Sequence, residues 1–264
     1  MRIATWNINS VRSRIDRLTA FLDRHDIDVL ALQETKCRDD QFPGLELSAM
    51  GYEIAHLGLN QWNGVAILSR VGLEDVATTF AEDQPMFGDP AVVEPRAIGA
   101  TCGGVRVWSL YVPNGRELDH DHYTYKLAWL ERLRQSGAEW LAADPQAQIA
   151  LVGDWNIAPE DDDVWDMSVF AGKTHVSEPE RAAFRSFVDT GFADVVRPHT
   201  PGPGVYTYWD YTQLSFPKKR GMRIDFVLGS PALQAQVTDA FIDREERKGK
   251  GASDHAPVVV DIAS

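Results

Sequence analysis

The segment LVGDWNIAP, residues 151–159, places two oxygen-bearing side chains at the end of an apolar run. A glycine ends this run, and Asp154 and Asn156 follow with Trp155 between them. Side chains alternate between the faces of a strand, so Asp154 and Asn156 share one face and Trp155 takes the other. A carboxylate beside a carboxamide either forms a turn or supplies half of a site for a metal or phosphate.

Polar residues also stand at the ends of five other predicted strands. They belong to the segments WNIN (6–9), LQET (32–35), YVPNG (111–115), RID (223–225) and SDH (253–255). Each segment alone is compatible with a turn or with a structural histidine. Packed sheets gather their strand ends along a common rim, so we expect these side chains to meet.

The combined set of side chains has the chemistry of metal-assisted phosphate-ester hydrolysis. Carboxylates and carboxamides are hard oxygen ligands, which suit Mg²⁺ or Mn²⁺ and not zinc. His255 has an acidic residue available to orient it, and an asparagine or tyrosine can contact phosphate oxygens. The sequence shows neither a glycine-rich nucleotide loop nor a serine–histidine nucleophile motif. The set therefore favours hydrolysis of a phosphate ester.

Short strands and a few helices alternate along the chain and would position these residues. Apolar runs predict strands over 2–6, 27–33, 64–69, 96–102, 105–112, 148–152, 224–228 and 258–262. Helical spacing predicts a helix capped by Ser10 and two others over 125–141 and 178–189. Gly103 and Gly104 predict a two-residue hairpin. We expect a single α/β (α+β) domain over 1–264, built as a layered sandwich.

The composition limits how the chain could bind nucleic acid. The formal net charge is −13, which opposes binding through a broad basic face. Phosphate contacts would have to be local or mediated by cations, and basic residues do cluster around 12–17, 218–223 and 244–250. Cys37 and Cys102 show no metal spacing, and no segment is apolar enough to span a membrane. We expect a reduced, cytoplasmic protein that does not bind membranes.

The motifs together resemble the exonuclease III group, the class II AP endonucleases of the endonuclease/exonuclease/phosphatase superfamily. The matching segments, in the order of that family, are WNIN, LQET, NGVAILSR, YVPNG, GDWNIAP, TYWDY, RID and SDH. The resemblance implies a four-layered α/β sandwich, in which two packed mixed β-sheets are flanked by helices and the site lies at one rim.

The resemblance also implies a Mg²⁺-dependent nuclease of base excision repair, with Mn²⁺ as an alternative ion. Its activities would be 3′→5′ exonuclease on duplex DNA, AP endonuclease, and 3′-phosphatase or 3′-phosphodiesterase. The partner would be duplex DNA with an abasic site or a recessed or blocked 3′ end, and the protein would be a monomer.

The same resemblance assigns roles within the metal site. Glu34 is the main metal carboxylate, Asn7 orients the metal or phosphate, and Asn9 lies nearby. Asp254 ligates the metal directly or through water. The full metal set is Asn7, Glu34, Asp154, Asn156, Asp254 and His255.

Catalytic roles fall on a second, overlapping group of residues. Asp154 aligns or deprotonates the attacking water, and Asn156 binds the scissile phosphate. His255, paired with Asp225, is either the general base or a phosphate ligand. Tyr111 contacts the phosphate or the leaving group.

A small pocket for a flipped, base-free sugar is expected from Tyr208, Met222 and Ile224, with Trp209 beside it. Some relatives carry an aromatic residue in place of Met222, so the balance between abasic cleavage and exonuclease action stays open. Further DNA contacts are expected from Asn114, Arg116, Lys218, Lys219 and Arg220.

Two other functions remain open at this stage. The GDWN, YVPNG and SDH motifs would also serve a phosphodiesterase acting on phospholipid, inositol phosphate or RNA. A non-catalytic DNA-binding relative is the second alternative, although every expected catalytic residue type is present. The TYWDY segment before KKRGMRID favours DNA.

Overall fold

A computed structural model describes residues 1–263 and contains twelve strands and six α-helices. The strands are β1 (Arg2–Asn7), β2 (Val29–Gln33), β3 (Glu53–Leu57), β4 (Val65–Ser69), β5 (Glu74–Ala77), β6 (Ala97–Cys102), β7 (Val105–Tyr111), β8 (Ile149–Asp154), β9 (Ala193–Asp194), β10 (Asp225–Gly229), β11 (Val237–Ile242) and β12 (Val258–Ile262). The helices are α1 (Ile15–His25), α2 (Gly44–Ala49), α3 (Asp121–Ala143), α4 (Met167–Phe170), α5 (Glu178–Thr190) and α6 (Pro231–Gln234). None of the helices within 1–263 is long and apolar enough to cross a membrane.

Two mixed six-stranded sheets form the centre of the molecule, with strand orders β11-β12-β1-β2-β4-β3 and β5-β6-β7-β8-β10-β9. Their facing sides bury a shared cluster of mostly aliphatic side chains such as Val29, Ile67 and Val152. The outer face of the first sheet packs against Leu18 and Phe21 of α1. Helices α3 and α5 cover the outer face of the second sheet. The predicted four-layered α/β sandwich is confirmed.

The first sheet brings three of the polar strand ends together. β1 and β2 are parallel, with Asn7 opposite Gln33, so Asn7 and Glu34 leave the sheet at the same rim. β12 is antiparallel to β1, with Thr5 opposite Val258. The segment 253–255 before β12 therefore reaches that rim too.

The second sheet aligns three more site residues in one row. β7 and β8 are parallel, and Tyr111 pairs with Asp154. β10 is antiparallel to β8 and places Asp225 opposite Asp154 on the other side. Both central parallel pairs thus end at the rim where the two sheets meet.

The predicted cap of the first helix is wrong. Helix α1 begins at Ile15, and Arg14 occupies its N-cap position without a side-chain capping bond. The amides of Ser10 and Val11 instead donate to the carbonyls of Glu34 and Thr35. Because this tertiary pairing satisfies the backbone, the helix starts one turn later than local spacing indicates.

Gly153 allows the parallel strands β7 and β8 to approach closely just before Asp154. Its φ is 141°, and a Cβ there would lie 2.0 Å from the carbonyl oxygen of Leu110. We expect Gly153→Ala to lower the free energy of unfolding by about 3 kcal/mol or more, through backbone strain and this contact. Urea denaturation measures the change. Gly104→Ala is the control, because Gly104 also has positive φ but its Cβ would meet nothing within 4 Å. Equal losses in both variants would contradict the role given to the Leu110 contact.

Candidate active site

A polar cavity of about 190 Å³ opens where the strand ends meet. It is lined by Glu34, Tyr111, Asn114, Asp154, Asn156, His175, Tyr208, Met222, Ile224, Asp254 and His255. All six polar segments recognised in the sequence contribute to this region, since Asn7 and Asp225 contact the lining residues directly.

Glu34 stands at the end of β2 in a left-handed backbone conformation, with φ of 51°. One carboxylate oxygen accepts from Asn7 Nδ2 at 2.8 Å, and the other lies 2.9 Å from Lys36 Nζ. Burial opposes ionisation of Glu34, but the charge of Lys36 and the hydrogen bonds from Asn7 and Lys36 outweigh it and lower its pKa. Glu34 is therefore held as a carboxylate at the edge of the cavity.

Asn7 links the two sheets through its amide nitrogen. Nδ2 donates to Glu34 and, at 2.9 Å, to Asp154 Oδ2, while Oδ1 accepts from the backbone amide of Asn9. Asn7 thus positions the carboxylates of Glu34 and Asp154. Its role toward the metal or phosphate stays a prediction.

Asp154, Asp225 and His255 are buried together, with the ring of His255 between the two carboxylates. His255 Nδ1 lies 2.8 Å from Asp225 Oδ2, and Nε2 lies 3.7 Å from Asp154 Oδ2. Burial would lower the pKa of His255, but the adjacent carboxylates of Asp225 and Asp154 outweigh it and raise it. Burial raises the pKa of Asp154 to about 7, against the attraction of His255. The arrangement provides a protonated imidazole beside a carboxylate suited to accept a proton near neutral pH.

Asn156 leaves β8 in a left-handed conformation, with φ of 50°. Its amide N–H donates to Asp154 Oδ1 at 3.0 Å, and its Nδ2 donates to the carbonyl of Val112 at 2.9 Å. Its Oδ1 accepts from Asn114 and lies 3.1 Å from His175 Nε2. Asn156 thus faces the cavity as the DWN motif predicts, with its orientation fixed by several partners.

The remaining catalytic and metal residues also reach the cavity. Tyr111 stays a neutral phenol, because burial and the nearby charge of Glu34 raise its pKa. Asp254 Oδ1 accepts from Asn9 Nδ2 at 3.0 Å. One ligand atom from each of Glu34, Asp154 and His255 lies within 4.8 Å of the other two. The two carboxylates of this set, Glu34 and Asp154, fit a hard divalent cation, whereas protonated His255 supplies a neighbouring positive charge.

The predicted sugar pocket is formed in part. Tyr208, Met222 and Ile224 line the cavity, and the ring of Tyr208 lies 5.0 Å from that of His255. Trp209, which is predicted to lie beside this pocket, is 1% exposed and packs against Tyr206, and its contact with DNA stays a prediction.

The predicted basic contacts are dispersed outside the cavity. Arg116 lines neighbouring clefts, and Lys218 and Lys219 are exposed on the segment that leads to Met222. Arg220 lies over the ring of Trp165. Arg223, which belongs to the same basic run, is buried between Asp163 and Asp194 and is structural.

The motifs alone do not identify two residues of the site, Lys36 and His175. Lys36 follows LQET directly, so its place two residues after Glu34 was a usable signal. His175 lies in a loop before α5, far from any strand end, and only the tertiary fold brings it to Asn156.

Comparison with known proteins agrees with this geometry. The sequence matches the Endonuclease/Exonuclease/phosphatase family over residues 4–255. The chain belongs to this family. Its curated relatives include an exodeoxyribonuclease of Bacillus subtilis and exodeoxyribonuclease III of Haemophilus influenzae, each 28% identical with 98% of both chains covered.

Solved structures of the family cover the whole chain. The 3′-5′ exonuclease NExo from Neisseria meningitidis is 36% identical with a TM-score of 0.91, and NExo is also described as a 3′ phosphatase bound to product DNA hairpin. An AP endonuclease from Archaeoglobus fulgidus is 33% identical with a TM-score of 0.91. Both comparisons cover 100% of each chain. The resemblance to the exonuclease III group is confirmed.

His122 makes the loop after β7 sensitive to acid. Its Nδ1 accepts from the amide of Gly115 at 3.0 Å, and burial together with the charge of Arg96 lowers its pKa from 6.5 to about 4. As the pH falls below 6.5, the unfolded chain takes up a proton that the folded protein refuses until about pH 4. The contribution of neutral His122 to the free energy of unfolding is therefore fully present above pH 6.5 and is lost progressively as the pH falls to about 4.

We expect the melting temperature to fall between about pH 7 and about pH 5, and to fall less in His122→Gln, which does not titrate. Thermal unfolding by circular dichroism measures the difference. His199→Gln, on a half-exposed surface histidine, is the control and keeps the wild-type change. An unchanged pH dependence in His122→Gln would contradict this account.

Proposed function

We propose that this protein is a metal-dependent DNA repair nuclease that hydrolyses phosphodiester bonds at 3′ ends and abasic sites. The main support is the convergence of Glu34, Asp154 and His255 in one polar cavity. The family relatives that span nearly the whole chain include exodeoxyribonucleases, a 3′ phosphatase and an AP endonuclease.

In the proposed reaction, a water molecule attacks the phosphorus atom in line with the leaving oxygen. Asp154 orients this water and accepts its proton, because its carboxylate lines the cavity and is held in place by Asn7 and the amide of Asn156. Protonated His255, held by Asp225, stabilises the charge that grows on the phosphoryl oxygens. In this proposal Asp154 is the general base, because His255 already carries a proton.

Asn156 and Tyr111 are the two further residues that we expect to contact the phosphate, and both belong to the second sheet or the loop that follows it. Asn156 positions the scissile phosphate, and the neutral phenol of Tyr111 donates to the phosphate or the leaving oxygen. A divalent ion, Mg²⁺ in our proposal, would be held by Glu34 and Asp154 and would neutralise phosphoryl charge when bound. Asp254 would reach it directly or through water.

The charge of the chain restricts where DNA would lie. Lys218 and Lys219 are exposed on the segment that precedes Met222, which lines the cavity, whereas Arg17 and Arg247 of the basic clusters contact other parts of the protein. Arg247 donates to the carbonyl of Trp209, and Arg17 pairs with Glu246. We therefore propose that the duplex contacts a short basic segment containing Lys218 and Lys219, and not a broad basic face.

The proposal is tested with duplexes that carry one abasic site, a 3′-phosphate or a recessed 3′ end, beside RNA and phospholipid. With Mg²⁺ or Mn²⁺ we expect cleavage of the DNA substrates, and EDTA should abolish it until the metal is restored. Preferential hydrolysis of RNA or phospholipid would support the corresponding phosphodiesterase instead. Binding of DNA without any metal-dependent cleavage would support a non-catalytic relative.

A further inference from the structure

A charged pair is completely buried behind the active site. Lys126 of α3 and Glu180 of α5 have side chains that are 0% exposed, with Nζ and Oε1 2.5 Å apart. Burial opposes ionisation of Glu180, but Lys126 outweighs it and lowers its pKa. A buried ion pair commonly stabilises a fold no better than apolar residues of similar volume. The pair therefore calls for an explanation other than stability.

The Lys126 ammonium contacts the backbone of two residues that line the cavity. It donates to the carbonyl of Asn156 at 2.6 Å and to the carbonyl of Asn114 at 3.2 Å. With the bond to Glu180, all three ammonium protons have acceptors. Asn156 has φ of 50°, a left-handed conformation that asparagine adopts more readily than most other residues. The bond from Lys126 to its carbonyl holds the backbone of this residue in place.

Glu180 extends the same network to a third loop. Its Oε1 accepts from the amide of His175 at 3.0 Å, and its Oε2 accepts from the hydroxyl of Ser177 at 2.5 Å. His175 in turn contacts Asn156 inside the cavity. One buried pair thus joins the loops that carry Asn114, Asn156 and His175.

We infer that Lys126 and Glu180 are positioning residues, which fix the Asn156 loop at the place where it must hold the scissile phosphate. This inference rests on the proposed function. Neither side chain lines the cavity, so their effect on the reaction passes through Asn156, Asn114 and His175. Misplacement of a phosphate-binding group by about 1 Å can lower a rate about 10²-fold.

The decisive comparison is between Glu180→Gln and the double variant K126M/E180Q. Glutamine keeps an acceptor for Lys126 and for the His175 amide, and it is tolerated in a helix-start capping box. Methionine keeps most of the volume of lysine but removes every donor. We expect kcat on a 3′-phosphate duplex with Mg²⁺ to stay within about fivefold of wild type in E180Q and to fall about 10²-fold in K126M/E180Q. KM should change much less.

Near-UV circular dichroism and melting curves establish that the variants are folded. R2M/D261N removes an ion pair at the opposite end of β1 and should keep kcat within about twofold of wild type. If K126M/E180Q does not fold, K126Q/E180Q replaces it, with a tenfold or greater loss of kcat relative to E180Q expected. A folded double variant with kcat within about threefold of wild type would overturn the inference. Absence of cleavage by the wild-type protein would instead overturn the proposed function.

Discussion

Asp154→Asn should lower kcat by about 10²–10³-fold or more while leaving the protein folded. The carboxylate lies opposite both Tyr111 and Asp225 in the second sheet, and it accepts hydrogen bonds from Asn7 and from the amide of Asn156. An asparagine fits the same space but cannot take a proton from water. Because the ionised carboxylate is costly to bury, its replacement should leave the melting temperature within a few degrees of wild type.

Single-turnover cleavage of a 3′-phosphate duplex at saturating Mg²⁺ measures this effect. Asp261→Asn is the control, since it changes an aspartate of β12 that pairs with Arg2 away from the site. Near-normal turnover in Asp154→Asn, with unchanged metal dependence, would show that another residue activates the water.

His255→Ala should also remove most of the activity, with a loss of about 10²–10³-fold. The ring is 3% exposed and holds its proton between Asp225 and Asp154, so alanine removes the positive charge that the protein places beside both carboxylates. The growing charge of the phosphoryl group would then lose this compensation. Asp225→Asn should have a smaller effect of the same kind, because the ring remains but is held less firmly.

Rates at saturating substrate and metal, with melting curves for each variant, test this prediction. His199→Ala serves as the matched histidine control, because His199 faces Asp239 on the surface. A folded His255→Ala protein that retains more than about a tenth of wild-type kcat would contradict the charge-stabilising role.

The sequence predicts best those elements that a local pattern defines, such as an apolar run or a two-glycine turn. The last strand was placed at 258–262, as observed, and the Gly103-Gly104 hairpin joins β6 and β7 with Cys102 opposite Val105. The start of α1 was wrong, because residues 10 and 11 pair with the turn after β2. The strands β3, β5, β9 and β11 were not predicted, since short or partly exposed segments carry little apolar pattern.

The site could be predicted as far as its residues stand at strand ends. Glu34, Asp154 and His255 stand beside apolar runs of the sequence and match motifs of the exonuclease III group. The structure then places one ligand atom of each within 4.8 Å of the other two. Lys126 and His175 could not be found this way, because they reach the site from a helix and a loop through contacts distant in sequence. The orientation of Asn7 likewise depends on a hydrogen bond that no spacing reveals.

The direct test is to grow crystals with Mn²⁺ and calculate an anomalous difference map. We predict a peak at coordinating distance from carboxylate oxygens of both Glu34 and Asp154, which is lost in crystals of Glu34→Gln. Peaks found only elsewhere on the molecule, with Glu34 and Asp154 contacting only their partners within the protein, would contradict the assignment of this rim as the metal and phosphate site.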